Sequence, residues 1–195
     1  MRLRPYDGKG MKMNNNNRQP NIDLAAIINS IDDKKAIEFY EKSSVQAKDI
    51  LKDEAKMEEL LSNLKDTLKN VPTKDTALAY IPLMMSLVRS YVKKEYTKAG
   101  KEAMNYIVVA LLYFVSELDL IPDTIPDVGY SDDILVIAGC LDLVKKDIEA
   151  YRAWLKDNGK EEFNYIPDYE NVADAAKDYS KFTDAFFKGK KPAKK

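Results

Sequence analysis

Apolar residues recur at intervals of three and four between residues 47 and 71, and Lys, Asp and Glu fill most of the other positions. This heptad seam comprises Ile50, Met57, Leu61, Leu64, Leu68 and Val71. Such spacing is typical of a helix that packs against a partner helix. We predict one long helix from Asp32 or Asp33 to about Asn70. The run is short for a free coiled coil, which favours a partner helix within the chain over self-association through the seam.

Helix start and stop signals divide the remainder of the chain. Thr73 or Asp75 is expected to cap the next helix, with Pro82 as a kink or a restart. Ser131 is expected to cap a long helix that ends at Asn158-Gly159. Because no alternating strand pattern is present, we predict an all-α bundle of five or six helices with a Pro- and Asp-rich hairpin loop at 119–131. The expected helices after residue 72 cover 73–92, 101–118, 132–156 and 169–187.

Charge is concentrated at the two ends of the chain. The net charge is −1, from 31 basic and 32 acidic residues. Residues 1–18 carry a net +4, residues 188–195 carry +5, and the body between them therefore carries −10. An acidic body argues against a nucleic-acid-binding protein. The basic ends are either solvated tails or contacts for phosphate and anionic lipid.

Composition excludes several classes of site and of location. With no His and one Cys, the chain has no disulfide framework, no Cys/His zinc site and no common haem ligation. The longest uncharged run, 103–116, has 14 residues, fewer than the roughly 20 needed to span a bilayer. We expect it to form a buried core helix, with a re-entrant membrane hairpin as the alternative. Without an apolar leader we expect a cytoplasmic protein, membrane-associated in the alternative case, and not a secreted one.

An ordered set of motifs between residues 88 and 155 resembles the YkvA-like family, a bacterial domain of unknown function. The motifs are Leu111–Ser116 (LLYFVS), Asp119–Asp123 (DLIPD), Ile125-Pro126, Gly129-Tyr130 and Asp132-Asp133. The resemblance implies a helical fold and a site at the hairpin loop, but it implies no reaction. Paired apolar helices of this family are often described as membrane segments. Here Glu117, Asp127 and Ser131 replace the Pro, apolar residue and Leu that are common in the family, which makes the hairpin more polar.

With the resemblance, the chain divides into five predicted parts. They are a disordered basic arm (1–20), an N-terminal helical extension (21–72), a YkvA-like helical domain (73–157), a C-terminal helix that packs on the core (158–187) and a basic tail (188–195).

The acidic residues of the hairpin loop are the candidate site. The candidate metal ligands are Asp119, Asp123, Asp127, Asp132 and Asp133. Carboxylates brought together in this way bind Mg²⁺ or Ca²⁺, and two such ions would activate water for phosphate chemistry. Alternatively the acids accept backbone N–H bonds in turns and at the start of a helix, which is the interpretation we favour. Structural roles in the loop are expected for Pro122, Pro126, Gly129 and Tyr130.

Two function classes follow from these features. The first is a non-enzymatic helical module that binds a protein partner or a membrane surface. The second is a divalent-metal-dependent enzyme that acts on a phosphate ester through the Asp cluster. The absence of His and of a recognised catalytic motif favours the first. Cys140 lies in an apolar run with no base nearby in the sequence, so we expect an inert buried thiol.

Overall fold

A computed structural model of the chain describes residues 33–71, 73, 76–116, 118, 131–160, 183, 186 and 187. Within these residues it contains six α-helices, one 3₁₀ turn and no strand, which confirms the predicted all-α fold. The helices are α1 (Asp33–Ile50), α2 (Glu54–Leu68), α3 (Ile81–Val92), α4 (Lys101–Phe114), α5 (Ser131–Leu143) and α6 (Lys145–Asp157), and the 3₁₀ turn is Ala77–Tyr80.

Helix α4 is the centre of the bundle. It packs against α1, α2, α3 and α5. Ten of its fourteen residues are buried, including the unbroken run from Ile107 to Phe114. An apolar stripe normally covers one face of a helix, whereas here nearly the whole circumference is apolar and covered. The predicted core helix at this position is therefore confirmed, although it ends four residues earlier than expected.

The long helix predicted from residue 33 to 70 is wrong, because the chain turns between α1 and α2. Asp53 has an extended backbone (φ −128°, ψ 111°), and its carboxylate accepts the N–H groups of Ala55 at 2.9 Å and Lys56 at 3.2 Å. Asp53 is therefore the N-cap of a new helix. Its carboxylate accepts hydrogen bonds from N–H groups that have no carbonyl acceptor in a preceding helical turn. The heptad spacing continues from Ile50 to Met57 across the turn and conceals the break.

The heptad seam is buried inside the chain. Ile50, Met57, Leu61 and Leu64 are buried, Val71 lies at the limit of burial, and Leu68 is half-buried against the same core. Helix α2 packs on α3 and α4, so the predicted intramolecular partner is confirmed. Self-association through this seam would require α2 to leave that core.

Ion pairs hold the outer edge of the α2–α3 contact. The Arg89 guanidinium donates to both carboxylate oxygens of Glu58, at 3.3 and 3.0 Å. Lys93 lies 3.2 Å from Glu54 and 3.4 Å from Glu58. The hydrogen bond from Arg89 lowers the pKa of Glu58 below its ordinary value. These groups are solvent-exposed, so the pairs fix orientation more than they stabilise the fold.

The segment before α3 begins at a different cap from the predicted ones. Thr76 accepts the N–H of Leu78 at 3.2 Å, and a 3₁₀ turn precedes α3. Of the two expected caps, Thr73 lies three residues before this cap and Asp75 lies outside the described residues. Pro82 lies at the start of α3, where a backbone N–H would have no intrahelical acceptor, so proline removes no hydrogen bond there. The predicted restart of the helix at Pro82 is confirmed.

The predicted helix from 132 to 156 is interrupted at Val144, which separates α5 from α6. Its end is confirmed. Gly159 has φ +67°, and the N–H of Lys160 donates to the carbonyl of Leu155 at 2.8 Å, in the manner of a Schellman cap.

The C-terminal segment contributes a buried anchor. Thr183, Phe186 and Phe187 are helical, and each is at most 3% exposed. Phe186 and Phe187 contact the rings of Tyr40 on α1 at centroid distances of 6.4 and 6.2 Å. A Cβ atom added to Gly139 on α5 would lie 2.8 Å from Thr183 Oγ1, so a larger residue at this position would force Thr183 or α5 to shift.

We expect Gly139→Ala and Thr183→Ala to be strongly coupled. In the single Gly139→Ala variant, overpacking costs about 1–3 kcal/mol, and the higher helix propensity of Ala offsets about 1 kcal/mol of that. In the double variant Thr183 Oγ1 is absent, and the next atom, the Cβ of residue 183, lies 3.7 Å from the added Cβ at position 139. The gain in helix propensity from Ala remains. Denaturant unfolding of the four proteins should therefore give a coupling of about 1 kcal/mol or more. Additive effects would contradict this packing.

Candidate functional site

Of the five candidate aspartates, Asp132 and Asp133 lie in the described part of the chain. Both occupy the first turn of α5, as predicted, where a carboxylate interacts favourably with the helix dipole. The other three, Asp119, Asp123 and Asp127, lie outside the described residues. So do the four residues with expected structural roles, namely Pro122, Pro126, Gly129 and Tyr130.

Asp132 is a buried carboxylate that joins the two helices of the hairpin. Its side chain is 9% exposed. The hydroxyl of Tyr113, in the last turn of α4, donates to Asp132 Oδ2 at 2.5 Å, and the backbone N–H of Asp133 donates to Oδ1 at 3.1 Å. A buried carboxylate requires donors of this kind, since removing it from water is costly. The bond therefore fastens the end of α4 to the start of α5.

Aromatic side chains from two other segments hold Tyr113 in place. Its ring is 1% exposed and makes edge-to-face contacts with Phe39 of α1 at 5.4 Å and with Phe186 at 5.7 Å. Both contacts lie in the favoured range for aromatic pairs. The hydroxyl of Tyr113 is thus aimed at Asp132 by packing from α1 and from the C-terminal segment.

Tyr113 is a site residue that the sequence reasoning missed. It belongs to the motif Leu111–Ser116, and Asp132 belongs to the acidic pair, so this bond connects the two ends of the motif series. The available signal was that Tyr113, one of two tyrosines in the uncharged run 103–116, precedes an acidic pair at the start of the next helix. The pairing itself spans 19 residues and is invisible to local patterns.

The geometry of Asp132 supports a structural role, in which its carboxylate holds the end of α4 against the start of α5. Both carboxylate oxygens accept hydrogen bonds from the chain. Within the ranges that the structure describes, no three His, Cys, Asp or Glu side chains are grouped so as to hold a metal ion. Because three of the five acids lie outside those ranges, the metal site stays a prediction.

Several polar side chains between the helices have hydrogen-bond partners within the bundle. The hydroxyl of Tyr151 on α6 forms hydrogen bonds with Ser86 at 2.8 Å and Ser90 at 2.9 Å on α3. Across the α1–α4 contact, the amide of Asn105 bonds Ser44 Oγ at 3.0 Å. No His is present to activate these hydroxyls as nucleophiles.

Cys140 and Tyr96 are buried groups whose pKa values are raised. Cys140 is buried, as expected, and burial raises the pKa of its thiol well above the ordinary value, which disfavours the reactive thiolate. Burial likewise raises the pKa of Tyr96, with the charge of Asp147 adding to the effect. Among the described residues the Tyr96 hydroxyl is the buried side-chain polar atom that lacks a hydrogen-bond partner.

Comparisons with known proteins confirm the resemblance to the YkvA-like family. Residues 106–139 match the model of a protein family described as "Protein of unknown function (DUF1232)". This segment contains both Tyr113 and Asp132. The chain is also 29% identical over 77 residues to "Uncharacterized membrane protein YkvA" of Bacillus subtilis (strain 168), and the alignment covers 40% of this chain and 73% of the relative. No solved structure matches the chain significantly.

None of the helices in the described ranges combines the length and the apolar character that a membrane span requires. Helix α4, which is 14 residues long, extends about 21 Å, whereas the hydrocarbon core is about 30 Å thick.

We expect Tyr113→Phe to destabilise the protein and Tyr96→Phe to leave it unchanged or slightly more stable. Both changes remove one hydroxyl from a buried ring. The first withdraws a donor from a buried carboxylate, at about 1–3 kcal/mol, whereas the second removes a polar atom that has no described partner. For a chain of this size each kcal/mol corresponds to about 2–4 °C in Tm. Equal shifts in Tm for the two variants would contradict the assigned role of Tyr113.

Metal binding is tested by titrating Mg²⁺, Ca²⁺ and Mn²⁺ into the full chain in a calorimeter, alongside Asp132→Asn and Asp123→Asn. Because Asp132 is engaged by Tyr113 and by a backbone N–H, we expect no saturable heat at micromolar ion concentrations. Saturable binding that both substitutions abolish would contradict the fastener interpretation and would establish a metal site in the loop.

Proposed function

We propose that this protein is a non-enzymatic helical module that binds a membrane surface without inserting its apolar helices. The observation that carries the proposal is the burial of α4. Its apolar residues are covered by four other helices of the same chain, so they stabilise the core and present no face to lipid. A helix that is apolar all round is either a membrane span or the interior helix of a bundle, and the length and packing of α4 favour the second.

The relative from Bacillus subtilis supplies the membrane part of the proposal. Its name describes a membrane protein, and it is 29% identical to this chain over 77 residues. A membrane location for this chain is compatible with a closed helical core if attachment is peripheral. The outer surface offers little apolar area for such attachment, because Val45 is the one large apolar side chain exposed among the described residues, at 63%.

Electrostatic attraction is therefore the supported means of attachment. The two basic ends together carry +9, apart from a body of −10. Basic segments next to a leaflet rich in anionic lipid gain about 1 kcal/mol per Lys or Arg. The acidic body disfavours close approach to the same surface, which leaves the ends as the contacting segments.

The experiment is co-sedimentation of the full chain with phosphatidylcholine vesicles that either contain or lack phosphatidylglycerol. We expect the protein to pellet with the anionic vesicles and to stay in the supernatant with the zwitterionic ones, since the attraction depends on lipid charge. A chain that remains in the supernatant with both compositions contradicts the proposal and turns attention to a protein partner. Equal pelleting with both would contradict the electrostatic mechanism.

A further inference from the structure

Helix α6 begins at a change of backbone direction and has no side-chain cap. Val144, which separates α5 from α6, has φ −107° and ψ 15°, outside the α-helical range, and it makes no capping hydrogen bond. Its side chain is 1% exposed, so the core holds this residue in place. Residues at the end of an element are the usual hinges of proteins, because a small change in φ and ψ there redirects the whole element. Val144 therefore provides a fixed pivot for α6.

Little apolar surface attaches α6 to the bundle. Its buried residues are Ile148, Tyr151 and Leu155, whereas α4 has ten buried residues in a helix of similar length. Segments with few buried apolar residues open at a lower free energy than the core does. The attachment of α6 therefore depends more on polar contacts than that of α4.

Hydrogen bonds join the first half of α6 to α3 and to the loop between α3 and α4. Near the start of α6, Asp147 Oδ1 accepts the backbone N–H of Gly100 at 2.8 Å. One helical turn later, the Tyr151 hydroxyl bonds Ser86 at 2.8 Å and Ser90 at 2.9 Å. Each such bond contributes modestly to stability, because water replaces it when the two segments separate.

An exposed ion pair holds the far end of α6. Lys160 Nζ lies 3.1 Å from Glu95 Oε2 and 5.1 Å from the centre of the Trp154 ring. Both charged side chains of the pair are close to half exposed, at 46% and 45%. Ion pairs with this exposure contribute little to stability and are screened by salt.

The packed position of α6 buries a hydroxyl that has no hydrogen-bond partner. The Tyr96 ring is 2% exposed and lies 5.0 Å from the Tyr151 ring and 5.3 Å from the Trp154 ring, measured between centroids. The N–H of Tyr96 donates to the carbonyl of Ser90 at 3.1 Å, so the end of α3 holds the residue under α6. Among the described residues, the Tyr96 hydroxyl lacks a partner. Water would hydrate this group if α6 moved away, so its burial opposes the packing of α6.

We propose that α6 is a hinged cover, which opens at Val144 as one unit while α1 to α5 stay folded. Opening separates Tyr151 from Ser86 and Ser90, and water then reaches these serine hydroxyls and that of Tyr96. The hydroxyl-bearing face of α3 thus becomes accessible without unfolding of the core. This conformational change goes beyond the proposed membrane-surface function and does not depend on it, because its contacts all lie within the bundle.

The test is amide hydrogen exchange of the full chain, resolved by residue with NMR, for the wild type and two variants. Tyr151→Phe removes the hydroxyl that joins α6 to α3. Tyr113→Phe is the matched control, because it removes a hydroxyl that joins α4 to α5. Both tyrosines are at most 1% exposed, so the two variants make the same chemical change at equally buried rings.

We expect the wild-type amides of α6 to exchange at least about tenfold faster than the slowest amides of α4, after correction for intrinsic rates. Tyr151→Phe should accelerate the exchange of α6 by about fivefold or more, since a bond that closes the cover is lost. Tyr113→Phe should accelerate the slowest amides of α4 by about fivefold or more. It should leave α6 at the wild-type rate, because opening at Val144 does not break the Tyr113–Asp132 bond.

Amides of α6 that exchange as slowly as the slowest amides of α4 would overturn the proposal, since α6 would then open only when the whole bundle unfolds. Acceleration of α6 and α4 by the same factor in Tyr113→Phe would overturn it for the same reason. An unchanged α6 rate in Tyr151→Phe would show that this hydroxyl does not close the cover, which also contradicts the proposal. No vesicle is present in the measurement, so each of these outcomes leaves the proposed function standing.

Discussion

The burial of α4 is the constraint on which the rest of the structure depends. This helix has almost no polar side, so it cannot lie on the outside of a protein in water, and neighbouring helices must cover it from every direction. Helices α1, α2, α3 and α5 do so. At roughly 25 cal/mol per Å² of apolar surface removed from water, this helix is a leading contributor to the stability of the bundle. The same burial leaves its apolar residues unavailable to lipid.

The Tyr113–Asp132 hydrogen bond is the polar exception within this apolar interior. A buried carboxylate is destabilising unless donors surround it, and here the donors come from two different elements. Phe39 and Phe186 aim the tyrosine, which links the register of α4 and α5 to α1 and to the C-terminal segment. Similarity to the DUF1232 family covers both partners of the bond. The bond therefore gives Asp132 a structural contact between α4 and α5.

Local patterns were sufficient for the fold class and for the buried helices, because periodicity and caps are properties of neighbouring residues. The heptad seam correctly indicated a buried face and an intramolecular partner. The prediction of one continuous helix failed at Asp53. This residue occupies a polar position in an unbroken heptad pattern, yet its carboxylate caps the start of a new helix. The interruption at Val144 was missed because the sequence around it, Asp142–Lys146 (DLVKK), contains no Pro or Gly to mark a break. Tyr113 was missed because its partner lies far along the chain, and Gly139 because its neighbour Thr183 belongs to another segment.

We propose that the apolar helices remain inside the protein while the charged ends of the chain contact the membrane. The most direct measurement is a wash of vesicle-bound full-length protein with about 1 M salt, at which the Debye length falls to about 3 Å. The account predicts that the wash releases the protein from the vesicles in its folded, monodisperse form. Protein that stays with the vesicles through the salt wash and a further alkaline wash would contradict it, because α4 and α5 would then be embedded in lipid rather than in their own core.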